Sequence, residues 1–190
     1  MKNLTKIFLF IIWLNQLFGV FGILVIDFDL FLSLSPISLI FTFFIVVYSN
    51  IEVSYKSFAT IIFIFSLSII SEIIGVNYGL LFGSYYYGEN LGYSMYGVPL
   101  VIGLNWVVLT VSSGNIASYF FENKYLSIFI GSLLMLILDV IMEQVSGNID
   151  FWYFNDESLI FNYVTLSLIH ISETTRRRGI SYALFCLKKK

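Results

Sequence analysis

The stretch Glu72–Trp106 reads EIIGVNYGLLFGSYYYGENLGYSMYGVPLVIGLNW. It opens with a carboxylate near the end of one apolar run, passes through a connection dense in glycine and tyrosine, and re-enters an apolar run at Gly97-Val98-Pro99. The flanking runs have the length of spanning helices, so a broken connection lies between two such helices. The glycines at Gly75, Gly79 and Gly83 allow two readings. They suit a close helix–helix contact, or irregular backbone lining a cavity, which membranes tolerate only inside protein.

The rest of the chain reads as a wall around this stretch. Of 190 residues, 58% are hydrophobic and 12% charged, about half the charge of an ordinary soluble domain. That is a membrane composition, and the length suits one domain. One cysteine (Cys186) and one histidine (His170) provide neither a disulfide framework nor a Cys/His metal site.

The last 25 residues, Leu166–Lys190, read LSLIHISETTRRRGISYALFCLKKK. They resemble translated read-through of a transposase-type sequencing adapter, with a basic cytoplasmic tail as the alternative. Such segments are set aside in fold reasoning, which leaves residues 1–165 as the domain and 166–190 as a non-native tail. Residues 1–165 hold four lysines against eleven acids, a net charge of −7, and no histidine or cysteine. Acid–base chemistry there falls to carboxylates, tyrosines or lysines. The triple arginine Arg176–Arg178 lies in the tail, so nothing in the domain reads as a nucleic-acid patch.

A helix needs about 20 apolar residues to cross a ~30 Å hydrocarbon core. The runs predict spans over Ile7–Ile26, Phe31–Tyr48, Phe58–Val76, Val98–Tyr119 and Tyr125–Gln144, with a sixth starting near Leu159 and cut at Thr165. The expected fold is all-α, a polytopic transmembrane helix bundle with about five complete spans and a truncated sixth. Asn15-Gln16, inside the first span, suit polar glue between helices. Counting crossings from a cytoplasmic N-terminus puts Lys2, Lys6, Lys56 and Lys124 on one side, as the positive-inside rule requires. The chain is thus expected in the cell membrane, multi-pass, N-terminus inside.

Three acids fall inside predicted spans: Glu72, Asp139 and Glu143. A charge at a helix centre costs roughly 2.5–3.5 kcal/mol on insertion scales, and such residues serve function by default. Asp139 and Glu143 are four apart, hence neighbours on one helix face. Away from water two such carboxyls share a proton, giving an acid beside a base. All three sit in the last third of spans running the same way, and the following span brings Asn105 and Trp106 to the same depth. Blander roles exist: Glu143 solvated near the interface, Glu72 bonded to backbone in the connection. Tyr78, Tyr85, Tyr86, Tyr87, Tyr93 and Tyr96 fit an interfacial aromatic belt, or a groove for a long conjugated or isoprenoid ligand with hydroxyls at its wet end.

Taken together, Glu72-x2-Gly75-x3-Gly79-x2-Phe82-Gly83-x-Tyr85-x-Tyr87-x3-Leu91-Gly92, Gly97-Val98-Pro99 and Trp106, followed by Asp139-x3-Glu143 and Phe151-Trp152-Tyr153, resemble the carotenoid biosynthesis membrane-protein family. Its characterised members include carotenoid 1,2-hydratases and bisanhydrobacterioruberin hydratase. The resemblance covers residues 60–165. It implies a hydro-lyase that adds water across the terminal isopropylidene double bond of an acyclic carotenoid, with ends of C40 or C50 carotenoids both fitting. The expected partners are that carotenoid, water, membrane lipid and other enzymes of the pathway. The residues suit this: Asp139 and Glu143 as proton donor and base, Glu72 as electrostatic support or to position water, and Tyr78, Tyr85, Tyr87, Asn105, Trp106 and Trp152 as the substrate wall, whose aromatic faces stabilise a cation. The chemistry requires no metal or other cofactor. The alternative is a membrane transporter or lipid-binding protein with an intramembrane carboxylate cluster, for which polar residues at several depths are expected.

Overall fold

Apolar runs of this length bury their backbone by closing helical hydrogen bonds, and helices dominate the structure. The computed structural model describes residues 2–50, 54–80 and 83–154. The expected sixth span and the tail at 166–190 lie outside the described residues.

Helix α1 (Lys2–Phe21) runs on into a π-helical turn, Gly22–Ile26, closed by Asp27 N–H donating to Gly22 O at 3.0 Å. A Cβ at Gly22 would sit 2.0 Å from the Phe31 ring, so only glycine lets the chain turn back there. Asp27 then caps α2 (Phe28–Ser33), accepting from Leu30 N–H at 2.9 Å. Helix α3 (Ser35–Asn50) follows. The second predicted span is therefore two helices. Pro36 has no N–H to give Leu32, four residues back, and the chain turns at Leu34 instead.

Helices α4 (Tyr55–Tyr78) and α6 (Lys124–Ser146) extend the predicted third and fifth spans by one to three residues at each end, while α5 (Leu100–Phe120) starts two residues later than the predicted fourth span and ends one residue later. Four helical segments are long and apolar enough to cross a membrane: Lys6–Ile26, Tyr55–Tyr78, Leu100–Phe120 and Lys124–Ile149. The apolar segment Ser35–Ser49 is shorter; α3, at 16 residues, is about 24 Å long. The result is an all-α, membrane-type bundle. Its starts and stops are chemical. Ser54 accepts from Ser57 N–H to cap α4, and Asn123 accepts from Tyr125 and Leu126 N–H to cap α6. Gly79 ends α4 in the left-handed conformation, φ 62°, where a side chain is strained. Gly79 and Gly83 thus lie in irregular backbone, and the stretch is a break rather than a helix contact.

Helix α5 is the central post, packed against α3, α4 and α6. Val107, Thr110, Val111 and Ala117 are wholly buried along it. At Gly103 a Cβ would meet the Phe65 ring at 2.7 Å, which shows how close α4 and α5 come. Helix α1 lies at the periphery. Its residues are largely exposed, although Asn15 donates to Ser38 Oγ at 2.7 Å on α3. Its neighbour Gln16 is exposed.

Helices α1, α4 and α6 begin at one end of the bundle, with Lys6, Lys56 and Lys124 in or near their first turns. The other end is roofed by two short ribbons not expected from the sequence. Strand β1 (Tyr85–Tyr87) pairs antiparallel with β4 (Trp152–Phe154), Tyr85 opposite Phe154 and Tyr87 opposite Trp152. Strands β2 (Ser94–Met95) and β3 (Val98–Pro99) form a hairpin. Its two-residue turn, Tyr96-Gly97, has positive φ at both positions, the primed geometry that fits strand twist. Gly88 N–H donates to Phe151 O at 2.9 Å, and Glu89 N–H to Asp150 Oδ2 at 2.9 Å, extending the β1–β4 ribbon beyond its paired residues.

Candidate active site

Strand geometry sorts the triple tyrosine. Successive side chains on a strand face opposite ways; Tyr85 and Tyr87 point inward and Tyr86 outward, half exposed and stacked on Tyr153 at 5.2 Å. On β4, Trp152 and Phe154 share the inner face, their rings 6.4 Å from Tyr87 and 5.5 Å from Tyr85 respectively. These four rings close the top of a cavity of about 280 Å³.

Helical spacing supplies the walls. From α5 come Ile102, Asn105, Trp106 and Leu109, and from α6 Met135, Leu138, Asp139, Met142 and Glu143. Each set repeats at three or four residues, one face of a helix. Helix α4 contributes Glu72, α3 contributes Leu39, and Leu91 and Phe151 complete the lining.

Glu72 is 5% exposed, with its hydrogen-bonding capacity well used. Tyr85 and Tyr87 hydroxyls both donate to Oε2, the latter at 2.7 Å, and the Trp106 indole N–H donates to Oε1 at 3.2 Å. Indole is a donor only. Burial first, and then the charge of Glu72, pushes the Tyr85 and Tyr87 phenols well above their ordinary value. Both keep their protons and serve as donors. Glu72 is bonded to side chains rather than to the backbone of the connection.

Asp139 and Glu143 line the cavity from α6, and Glu72 lines it from α4. Among the described residues neither Asp139 nor Asn105 has a hydrogen-bond partner, and both line the cavity half-buried. A polar side chain that lines a cavity without a protein partner is available to water or ligand. The cavity thus holds one carboxylate held by three donors and a second without a partner, beside a third acid. Among the described residues no three His, Cys, Asp or Glu side chains are grouped to hold a metal ion.

Of the residues singled out from sequence, Glu72, Tyr85, Tyr87, Asn105, Trp106, Asp139, Glu143 and Trp152 come together around this cavity. Tyr78 does not. It is 73% exposed on the last turn of α4, six residues past Glu72 and therefore turned well away from it. Tyr93 and Tyr96 are also exposed, as an interfacial belt requires. Sequence reasoning missed Phe154, Met135 and Met142. The methionines stand at i−4 and i+3 from Asp139, a spacing that could have found them; Phe154 needed the β1–β4 pairing.

Set beside known proteins, residues 34–164 match a family model described as carotenoid biosynthesis protein. No curated protein and no solved structure matches the chain.

Proposed function

Because the chain belongs to the carotenoid biosynthesis protein family, we propose that it is a hydratase acting on the terminal isopropylidene double bond of an acyclic carotenoid. The observation that carries this reading is the pairing of Asp139 and Glu143 beneath an aromatic roof, next to a Glu72 already held by three donors.

Adding water to a trisubstituted alkene needs an acid, shelter for a tertiary cation and a base. One carboxyl of the Asp139–Glu143 pair gives its proton to the CH carbon of the double bond. The positive charge then rests on the neighbouring carbon, which bears two methyl groups. The oxygen of a water molecule bonds to that carbon, and the surplus proton passes to the other carboxylate. The sum is one water added and a tertiary alcohol formed. Ring faces of Trp106, Tyr85, Tyr87 and Trp152 attract the cation, and the Glu72 carboxylate, which lines the same cavity, offsets its charge.

The cavity size supports an end-group reaction. Drug-sized ligands occupy pockets of about 300–1,000 Å³, so a cavity of about 280 Å³ takes the tip of a long polyene, and the remainder lies along apolar surface. Leu109 and Met135 lie one turn further into the bundle than Asn105 and Asp139, so the polar atoms concentrate towards the roof. We place the domain in the cell membrane as a multi-pass protein with the lysine-bearing end in the cytoplasm and the roofed cavity on the far side. A transporter would favour a polar path through the bundle. Instead, several buried hydroxyls away from the cavity, among them Ser68 and Ser71, return to carbonyls of their own helix.

Expression in a lycopene-accumulating bacterium tests the reading. Carotenoids heavier by one water are expected by mass spectrometry. Asp139→Asn and Glu143→Gln should each lower hydration about 100-fold or more, the scale of acid–base catalysis. Normal hydration by both variants would eliminate the proposed pair.

A further inference from the structure

Resting on the hydratase reading, we infer that Asn105 holds the attacking water, and so decides whether the cation is captured or falls back to alkene. Helix α5 presents two polar side chains to the cavity in succession. Trp106 commits its N–H to Glu72 at 3.2 Å. Asn105, one residue earlier, lines the same cavity, and its amide has no partner among the described residues.

An amide suits this task. Its carbonyl accepts one water proton and its NH2 donates to a second acceptor, so the water is oriented with a lone pair left over. Being neutral, it neither protonates the alkene nor quenches the cation. Asp139 or Glu143, across the cavity on α6, then takes the proton that leaves. A water bridging α5 and α6 satisfies both unpartnered side chains, Asn105 and Asp139, at once.

Once the cation forms, two fates compete. Water bonds to the charged carbon and gives alcohol. Otherwise the proton just added, or the hydrogen beside it, leaves the same CH carbon and alkene returns. In D2O the second route leaves deuterium on the vinylic carbon of recovered alkene, without oxidant or reductant. A positioned water favours the first route. Asn105 is a positioning residue in this scheme, because it acts through the water.

The experiment uses membranes containing the whole chain, incubated in D2O with an acyclic carotenoid. Alcohol and vinylic deuterium are both quantified by mass spectrometry. In Asn105→Leu, alcohol should fall about 100-fold, the cost of a misplaced reactant, while deuterium in recovered alkene is retained or rises. Asn105→Asp, which keeps an acceptor, should restore part of the alcohol. If alcohol and deuterium fall together in Asn105→Leu, Asn105 supports the fold or the protonation step and the inference is overturned. Unchanged alcohol in Asn105→Leu also overturns it. Wild-type membranes giving neither alcohol nor deuterium would refute the hydratase reading itself, and the inference with it.

Discussion

Around the cavity, Glu72 on α4 is held by Tyr85 and Tyr87 from a strand and by Trp106 from α5. Away from the cavity, buried hydroxyls stay local. Ser68 donates to Phe65 O at 2.9 Å, Ser71 to Ser68 O at 2.8 Å, and Ser132 to Ile128 O at 2.9 Å, each within its own helix. Both regions bury polar atoms in an apolar setting, where an unmet group is costly. The first satisfies them between elements and so fixes a three-dimensional arrangement. The second satisfies them within one turn and lets helices approach as if the residues were small and apolar. A site is built where hydrogen bonds cross between elements.

Glu72→Leu breaks that contrast most directly. It removes both acceptor oxygens and strands three donors at once, each worth about 1 kcal/mol. A loss of about 3 kcal/mol is expected in the denaturant-induced unfolding of the detergent-solubilised protein. Tyr87→Phe, which removes one donor and leaves the acceptor partly served, should cost about 1 kcal/mol. Equal midpoints for Glu72→Leu and wild type would mean that Glu72 does not knit α4 to the roof.

How much of this could be read beforehand follows the same division. Long helices and the carboxylates on them were legible, because apolar length and a spacing of three or four are local properties. The shared face of Asp139 and Glu143 needed nothing else. The β1–β4 ribbon was not legible. Three-residue strands separated by 64 positions are too short to show alternation, so Tyr85 and Tyr87 could not be told from Tyr78 and Tyr86 by type alone. The break at Leu34 was half visible in Pro36. Proline suits the first turn of a helix, and the start that Pro36 marks is that of the separate helix α3.

The roof itself offers a sharper test of the comparison, with a smaller effect. Asp150 accepts from Glu89 N–H and from the Tyr153 hydroxyl, both at 2.9 Å. It also sits at φ 53°, where aspartate and asparagine are tolerated better than most side chains. Asp150→Ala loses both bonds and adds backbone strain, at a cost of about 1–2 kcal/mol. The effect should stay local. Amide hydrogen exchange should quicken in Tyr85–Tyr87 and Trp152–Phe154 while α5 keeps its protection, and Asp150→Asn should preserve most of it. Unchanged exchange in the two strands would show that the ribbon does not depend on this tie.

The smallest effect is expected where hydrogen bonds stay within one helix. Ser68 is fully buried, and by burial alone it resembles Glu72. Its hydroxyl, however, serves a carbonyl that the helix ladder already serves, so Ser68→Ala orphans no partner. Interior hydroxyl contacts in membrane bundles average about 0.6 kcal/mol, and the unfolding free energy should change by no more than that. The alanine also leaves the α4–α5 approach at Gly103 intact, since it adds no volume. If Ser68→Ala instead destabilises as strongly as Glu72→Leu, burial rather than the reach of the hydrogen bond sets the cost. The distinction between the cavity and the rest of the bundle would then have to rest on chemistry alone.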